Sequence, residues 1–243
     1  MLGTLNLLQS IVDEGLDILR FDFAGTSEEF GNMDEEMRDL YTFNRDGVVV
    51  FNERSPVNPE SPYAVSKVAG DFLCRNFHKA YGLPVVITRM FNNYGPRQSP
   101  RYVTGTIITQ ALCRDEVVLG ALKPTRDFTY VLDGVRGHLY AAVKGKPGHI
   151  YSYGYGEDVS VGDWASFILR LGEEGGYWRD VKVREDKGRF RPGGTDLMRL
   201  GVDYSKMKKE TGWRPKYDRV FGVKETIKYY AENRDKWWGR IDW

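Results

Sequence analysis

Tyr63-Ala64-Val65-Ser66-Lys67 places a phenol and an ammonium four residues apart. On a helix, four residues rise about 6 Å and return to the same face, so the two side chains lie one above the other. A positive charge beside a phenol favours its ionised form, by about 1.4 kcal/mol for each unit that the ordinary pKa near 10 falls. Lys67 is therefore expected to lower the pKa of Tyr63 and make it a base. The flanks of the pair give it a fold. Phe21-Asp22-Phe23-Ala24 alternates and then stops at Gly25-Thr26-Ser27-Glu28, a small, hydroxyl-rich turn, as a buried strand running into a loop would. Downstream, Leu83-Pro84-Val85-Val86-Ile87-Thr88-Arg89-Met90-Phe91 is rich in β-branched residues and ends at Asn92-Asn93-Tyr94-Gly95-Pro96. Strand, helix, strand is one parallel unit of an α/β fold. Ligands of open parallel sheets sit beyond the carboxyl ends of the strands, where Thr26, Ser27, Glu28 and Asn92 all fall.

The rest of the chain supports continuous globular structure. The 243 residues suffice for a substantial core, and no repeat or low-complexity linker interrupts them. Helices are expected near 4–14, 62–80, 103–113, 132–143, 161–171, 204–210 and 219–232, and strands near 18–24, 85–91, 149–153 and 181–184. Ser160 reads as the N-cap of the helix from 161, and Gly212 as the stop of the one near 204–210. Gly154 and Gly156 follow a short strand, but Val159 stands at the third position of a phosphate-binding glycine motif, so this is read as a turn. Tyr229, Tyr230, Trp237 and Trp238 are read as packing.

Thirty-five Lys and Arg oppose 34 Asp and Glu, so no global field recruits nucleic acid or an anionic membrane. Cys74 and Cys113 lack a metal-type spacing, and His78, His138 and His149 are scattered. No metal site is expected, and the cysteines fit a reducing, cytoplasmic setting. No apolar run approaches about 20 residues, and the start shows no basic segment followed by an apolar one, so neither a span nor a signal peptide is indicated.

Thr26-Ser27-Glu28, Ser61-Pro62-Tyr63 through Lys67, Arg89-Met90-Phe91-Asn92-Asn93-Tyr94-Gly95-Pro96-Arg97-Gln98-Ser99 and Arg126-Asp127-Phe128-Thr129-Tyr130-Val131 occur in this order. With Arg191-Pro192, Asp203-Tyr204-Ser205-Lys206 and Gly212-Trp213-Arg214-Pro215, they resemble the successive motifs of the extended short-chain dehydrogenase/reductases that modify nucleotide sugars. The likeness spans essentially the whole chain and is greatest to the 4,6-dehydratases. It implies a Rossmann-like parallel sheet over residues 1–95 and a smaller C-terminal α/β substrate-binding region over 96–243, with some segments returning to the first sheet. It also implies NAD as cofactor, with NADP an alternative, a nucleotide-sugar substrate, and a homodimer packed through the helix of Tyr63.

Under this resemblance Tyr63 takes the proton of the sugar C4 hydroxyl while hydride leaves C4, and Lys67 holds the nicotinamide ribose. Glu28 then removes the acidified C5 proton, water leaves from C6, and hydride returns there. Thr26 bonds the C4 oxygen. Ser27 stands where several dehydratases carry an aspartate acid. Asn92, Arg101, Arg126 and Arg191 are implied as substrate contacts. The alternatives are a 4-epimerase or a UDP-glucuronate decarboxylase, which share the first oxidation, and an inactive nucleotide-sugar-binding remnant.

One departure motivates the last alternative. The strand and glycine-rich turn with which the family begins are absent, and Met1-Leu2-Gly3-Thr4-Leu5-Asn6-Leu7-Leu8 resembles a helix well inside the Rossmann domain. On about 30 residues per βαβ unit, roughly 80 to 100 residues are expected to be missing from the front. The chain is accordingly read as a fragment, as beginning at a misassigned start, or as having lost ordinary dinucleotide binding.

Overall fold

The computed structural model describes residues 1–190 and 196–240. In chain order the elements are α1 (Leu2–Asp13), β1 (Phe21–Ala24), β2 (Thr42–Phe43), β3 (Val49–Val50), α2 (Pro62–Tyr81), β4 (Val85–Met90), β5 (Asn93–Tyr94), α3 (Val103–Ala111), β6 (Glu116–Leu119), β7 (Thr125–Arg126), β8 (Thr129–Tyr130), α4 (Val131–Lys144), β9 (Ile150–Tyr153), β10 (Val159–Ser160), α5 (Val161–Glu174), β11 (Lys182–Glu185), β12 (Arg199–Leu200), α6 (Ser205–Thr211), α7 (Arg219–Glu232) and α8 (Arg234–Trp237).

The first sheet has the order β1-β4-β9, all parallel, with Phe21 opposite Val85 and Ile87 opposite Ile150. A central parallel strand is covered on both faces, which is why β4 reads as a continuous apolar run. Its Val85 and Ile87 pack with Leu8 of α1, Phe23 of β1, and Cys74 and Phe77 of α2. Val86 faces the other way, onto Ala141 of α4, Tyr151, Met207 and Trp213. Each such side chain contributes about 1.5–3 kcal/mol by leaving water. Gly70 lets α2 approach β1 closely, because a Cβ there would overlap the Phe23 ring.

Helix α2 starts where Ser61 accepts the Ala64 N–H (3.0 Å) and Pro62 enters its first turn. It stops at Gly82, whose φ of 71° is left-handed and so favours glycine. Strand β1 begins at Phe21 and not near 18, because its ladder starts with β4: the Phe21 N–H donates to the Pro84 carbonyl. On its other side, no strand among the described residues pairs with β1. Leu19, 97% exposed, precedes that open edge, and Arg20 Nε bonds the Ala142 carbonyl of α4 beside it.

The second core gathers α3, α5 and α7 around Ile107, Ile108, Trp164, Ile168, Val223 and Ile227. Phe128 stacks on Trp164 with centroids 4.5 Å apart. The parallel pair β6-β11 and the sheet β10-β7-β12 flank it. The C-terminal aromatics Tyr230 and Trp237 are buried here, and the Trp237 indole donates to the Tyr230 carbonyl (2.8 Å). Asp127 accepts the N–H groups of Tyr155 (2.6 Å) and Gly156 (2.7 Å), so an internal carboxylate already holds the Gly154–Gly156 turn. Ser160 caps α5 by accepting the Asp163 N–H, and Gly212, with φ 78°, ends α6.

Candidate active site

The parallel register brings the ends of β1 and β4 to one level: Ala24 is opposite Thr88, and the Gly25 N–H donates to the Thr88 carbonyl (2.7 Å). Beyond these ends the chain turns at Thr26 into a single 3-10 turn, Ser27–Phe30, and at Asn92 into β5. The first turn of α2 delivers Tyr63 to the same place. Thr26, Ser27, Glu28, Tyr63 and Asn92 together line a cavity of about 710 Å³, within the range that small-molecule sites occupy. The structure thus converges five of the residues singled out from sequence.

Tyr63 is 51% exposed at this cavity. Burial of its inner part raises the phenol pKa, a hydrogen bond with the Thr26 side chain opposes the rise, and the nearby charge of Glu28 adds to it. This corrects the expectation that Lys67 would depress it. The Lys67 ammonium donates to the Ala24 carbonyl (2.8 Å) and lies 5.8 Å from the Tyr63 ring centroid, so it answers the end of β1 and not the phenol oxygen. The four-residue spacing puts both groups on one face without fixing what the ammonium bonds.

Asn92 hands its carbonyl to the Thr129 N–H (2.9 Å), while its Oδ1 is buried with no protein partner among the described residues. Gln98 also lines the cavity; its amide N donates to the Asn93 carbonyl (2.7 Å), and its Oε1 is likewise buried and unmatched. Two orphaned acceptors at one cavity fit a ligand rich in hydroxyl donors.

The arginines are placed differently. Arg126 Nη1 donates to the carbonyls of Thr125 (2.8 Å) and Leu197 (2.6 Å), tying β7 to the stretch before β12. Arg101 is exposed on the approach to α3. Neither lines the cavity. Arg191 lies outside the described residues. Sequence reasoning missed Gln98, Glu60 and Tyr102, which line the cavity, and the buried Glu29 behind it. Thr26-Ser27-Glu28-Glu29 has the Thr-x-x-Glu spacing of a helix-capping box, the one sequence signal that pointed to Glu29.

The profile of the family described as GDP-mannose 4,6 dehydratase matches residues 1–226. A dTDP-glucose 4,6-dehydratase of Xanthomonas campestris pv. campestris is 32% identical over 253 aligned positions, which cover 100% of this chain and 68% of that protein. The human dTDP-D-glucose 4,6-dehydratase is 33% identical over 220 positions, 90% of this chain and 58% of that protein. Among solved structures, the DesIV double mutant, a dTDP-glucose 4,6-dehydratase from Streptomyces venezuelae with NAD bound, superposes with a TM-score of 0.82 at 29% identity, covering 98% of this chain and 67% of that one. This chain thus spans about two thirds of the length of the first two bacterial proteins. Together with the parallel sheet and the Tyr63 cavity, the match places the chain in the GDP-mannose 4,6 dehydratase family.

Proposed function

We propose that this chain carries the proton-transfer machinery and sugar pocket of an NAD-dependent nucleotide-sugar 4,6-dehydratase. The convergence of Thr26, Glu28 and Tyr63 on one cavity carries the reading. Tyr63 accepts the proton of the C4 hydroxyl, with Thr26 orienting the phenol from the other side. NAD, when bound, takes the C4 hydrogen as hydride and returns it to C6, so the net change is loss of water. The C4 ketone acidifies the C5 hydrogen, which Glu28 removes. The proton so collected leaves with the C6 hydroxyl as water, and once hydride is back at C6 a proton, equal in number to the one Tyr63 took from the C4 hydroxyl, returns to C5. Ser27, almost wholly buried, lines the cavity beside Glu28.

The nicotinamide end of the cofactor fits the residues present. The Tyr63 phenol opens on the cavity, and Lys67, whose ammonium donates to the terminal carbonyl of β1, holds the ribose in this reading. The Tyr155 and Gly156 N–H groups, taken by Asp127, offer no pyrophosphate cradle. Residues 1–95 form the cofactor side in this proposal and 96–243 the substrate side. Asn92 meets the sugar, and Arg101, Arg126 and Arg191 serve the nucleotide diphosphate.

A cytoplasmic homodimer belongs to the same proposal. No helix among the described residues is long and apolar enough to cross a membrane. Both cysteines are free. Exposed Val65 and Phe72 of α2, with Leu2 and Leu7 of α1, give an apolar surface for a second copy. Light scattering should then report about twice 27.9 kDa at micromolar concentration, and a monomer would exclude it.

Joined at its front to the glycine-rich strand and turn of a relative, the protein incubated with NAD⁺ and either dTDP-glucose or GDP-mannose should yield a 4-keto-6-deoxy sugar visible by NMR. A C4 epimer with its C6 hydroxyl retained would replace the dehydratase with an epimerase.

A further inference from the structure

Behind the catalytic turn lies a buried charge cluster that the chemistry above does not use. Glu29 is completely buried, and its Oε2 is 3.0 Å from Arg89 Nε. Arg89, on β4, also reaches Asp71 of α2 through Nη2 (2.8 Å), and Arg75 meets the other oxygen of Asp71 (2.6 Å). α2 and β4 pack against the 3-10 turn of Glu29. The charged or titratable groups they turn toward it are Arg89, Asp71 with Arg75 behind it, and Tyr63. Glu28 is its neighbour on the turn itself.

The remaining oxygen of Glu29 faces the active site. Oε1 accepts the Thr26 N–H at 2.9 Å, and it is close enough to Gly25 that a Cβ there would approach it to 2.5 Å. Thr26 in turn hydrogen-bonds Tyr63 through its side chain. A continuous path of three groups therefore runs from a buried carboxylate to the catalytic phenol. We propose that Glu29 is a positioning residue, whose carboxylate, acting through the Thr26 backbone N–H, fixes the direction in which Thr26 presents its hydroxyl to Tyr63.

An ionised acceptor holds an N–H more strongly than a neutral one, so the charge of Glu29 matters as well as its shape. Burial pushes its carboxyl up to about 7; Arg89 and the Thr26 N–H oppose that rise, and the adjacent Asp71 adds to it. Glu29 thus changes charge near neutrality, and the Thr26 hold should tighten as pH rises through that region.

The consequence for turnover rests on the dehydratase reading, but the positioning of Thr26 can be measured without it. In amide NMR spectra of the full protein, the Thr26 N–H should titrate with a midpoint near 7 in the parent and be pH-independent in Glu29→Gln. A Thr26 amide that titrates equally in both overturns the proposal. In steady-state assays Glu29→Ala should lower kcat by up to about 10²-fold with KM unchanged, the effect of a small displacement at the chemistry. Glu29→Gln, which keeps an acceptor for Thr26, should recover most of that loss but lose the pH step near 7. Parental kcat in Glu29→Ala would overturn the proposal. Should Glu29→Ala fail to fold, the amide titration in Glu29→Gln decides alone. Absence of turnover in the parent with every nucleotide sugar would refute the dehydratase reading and leave the Thr26 test standing.

Discussion

Tyr63→Phe should lower turnover by about 10²–10⁴-fold while leaving nucleotide-sugar binding nearly intact. The substitution removes one oxygen, the one hydrogen-bonded by Thr26, and keeps the ring that covers the start of α2. Because the side chain is half exposed, the change in stability should stay within about 0.5 kcal/mol, so a loss of rate cannot be charged to unfolding. The pH profile gives an independent check. The phenol is raised above its ordinary value, mainly by burial. A base must be deprotonated to act, so the parental rate should climb with pH across the neutral range as the phenolate fraction grows. That climb should vanish in the variant. Parental turnover in Tyr63→Phe would remove Tyr63 from the reaction.

Glu28→Gln should fail at a different step. Oxidation at C4 needs Tyr63 and not Glu28, so hydride should still leave the sugar and the absorbance of the reduced nicotinamide should build up. Removal of the C5 proton should stall, with product formation down by at least about 10²-fold. The two variants therefore separate in a single absorbance experiment: Glu28→Gln accumulates the reduced cofactor and Tyr63→Phe does not. Product at the parental rate in Glu28→Gln would favour a reaction that never deprotonates C5, with 4-epimerisation the leading case.

Most of the site was legible in the sequence because its parts are local. Ser61-Pro62 before an amphipathic run and Gly82 after it delimit α2 without reference to anything distant. The apolar run of β4 signals burial on both faces, and the ends of two parallel strands then have only one place to meet. What stayed hidden depends on partners far along the chain. The two-residue strands β7 and β12 are too short for any periodicity, and they exist because of pairings such as Arg199 with Thr125. Helical spacing put Lys67 beneath Tyr63, but its ammonium is directed by a carbonyl 43 residues earlier. Arg126 followed the motif of a substrate contact, and nothing in that motif told that its guanidinium also bonds the Leu197 carbonyl. Glu29, to which the sequence reading gave no role, owes its burial to β4 and α2, which pack over its turn.

The carbonyl at the end of β1 gives Lys67 a second office. In a parallel ladder alternate residues face each neighbour. The Phe21 and Gly25 N–H groups answer β4, so Asp22 and Ala24 turn their peptide groups outward. Here the Lys67 ammonium covers the Ala24 carbonyl. Replacing Lys67 therefore does more than disturb chemistry: it takes away the donor that holds the carbonyl from which the Gly25–Thr26 turn departs. An inactive Lys67 variant is informative about catalysis only when the Thr26 amide resonance shows that the turn has kept its place.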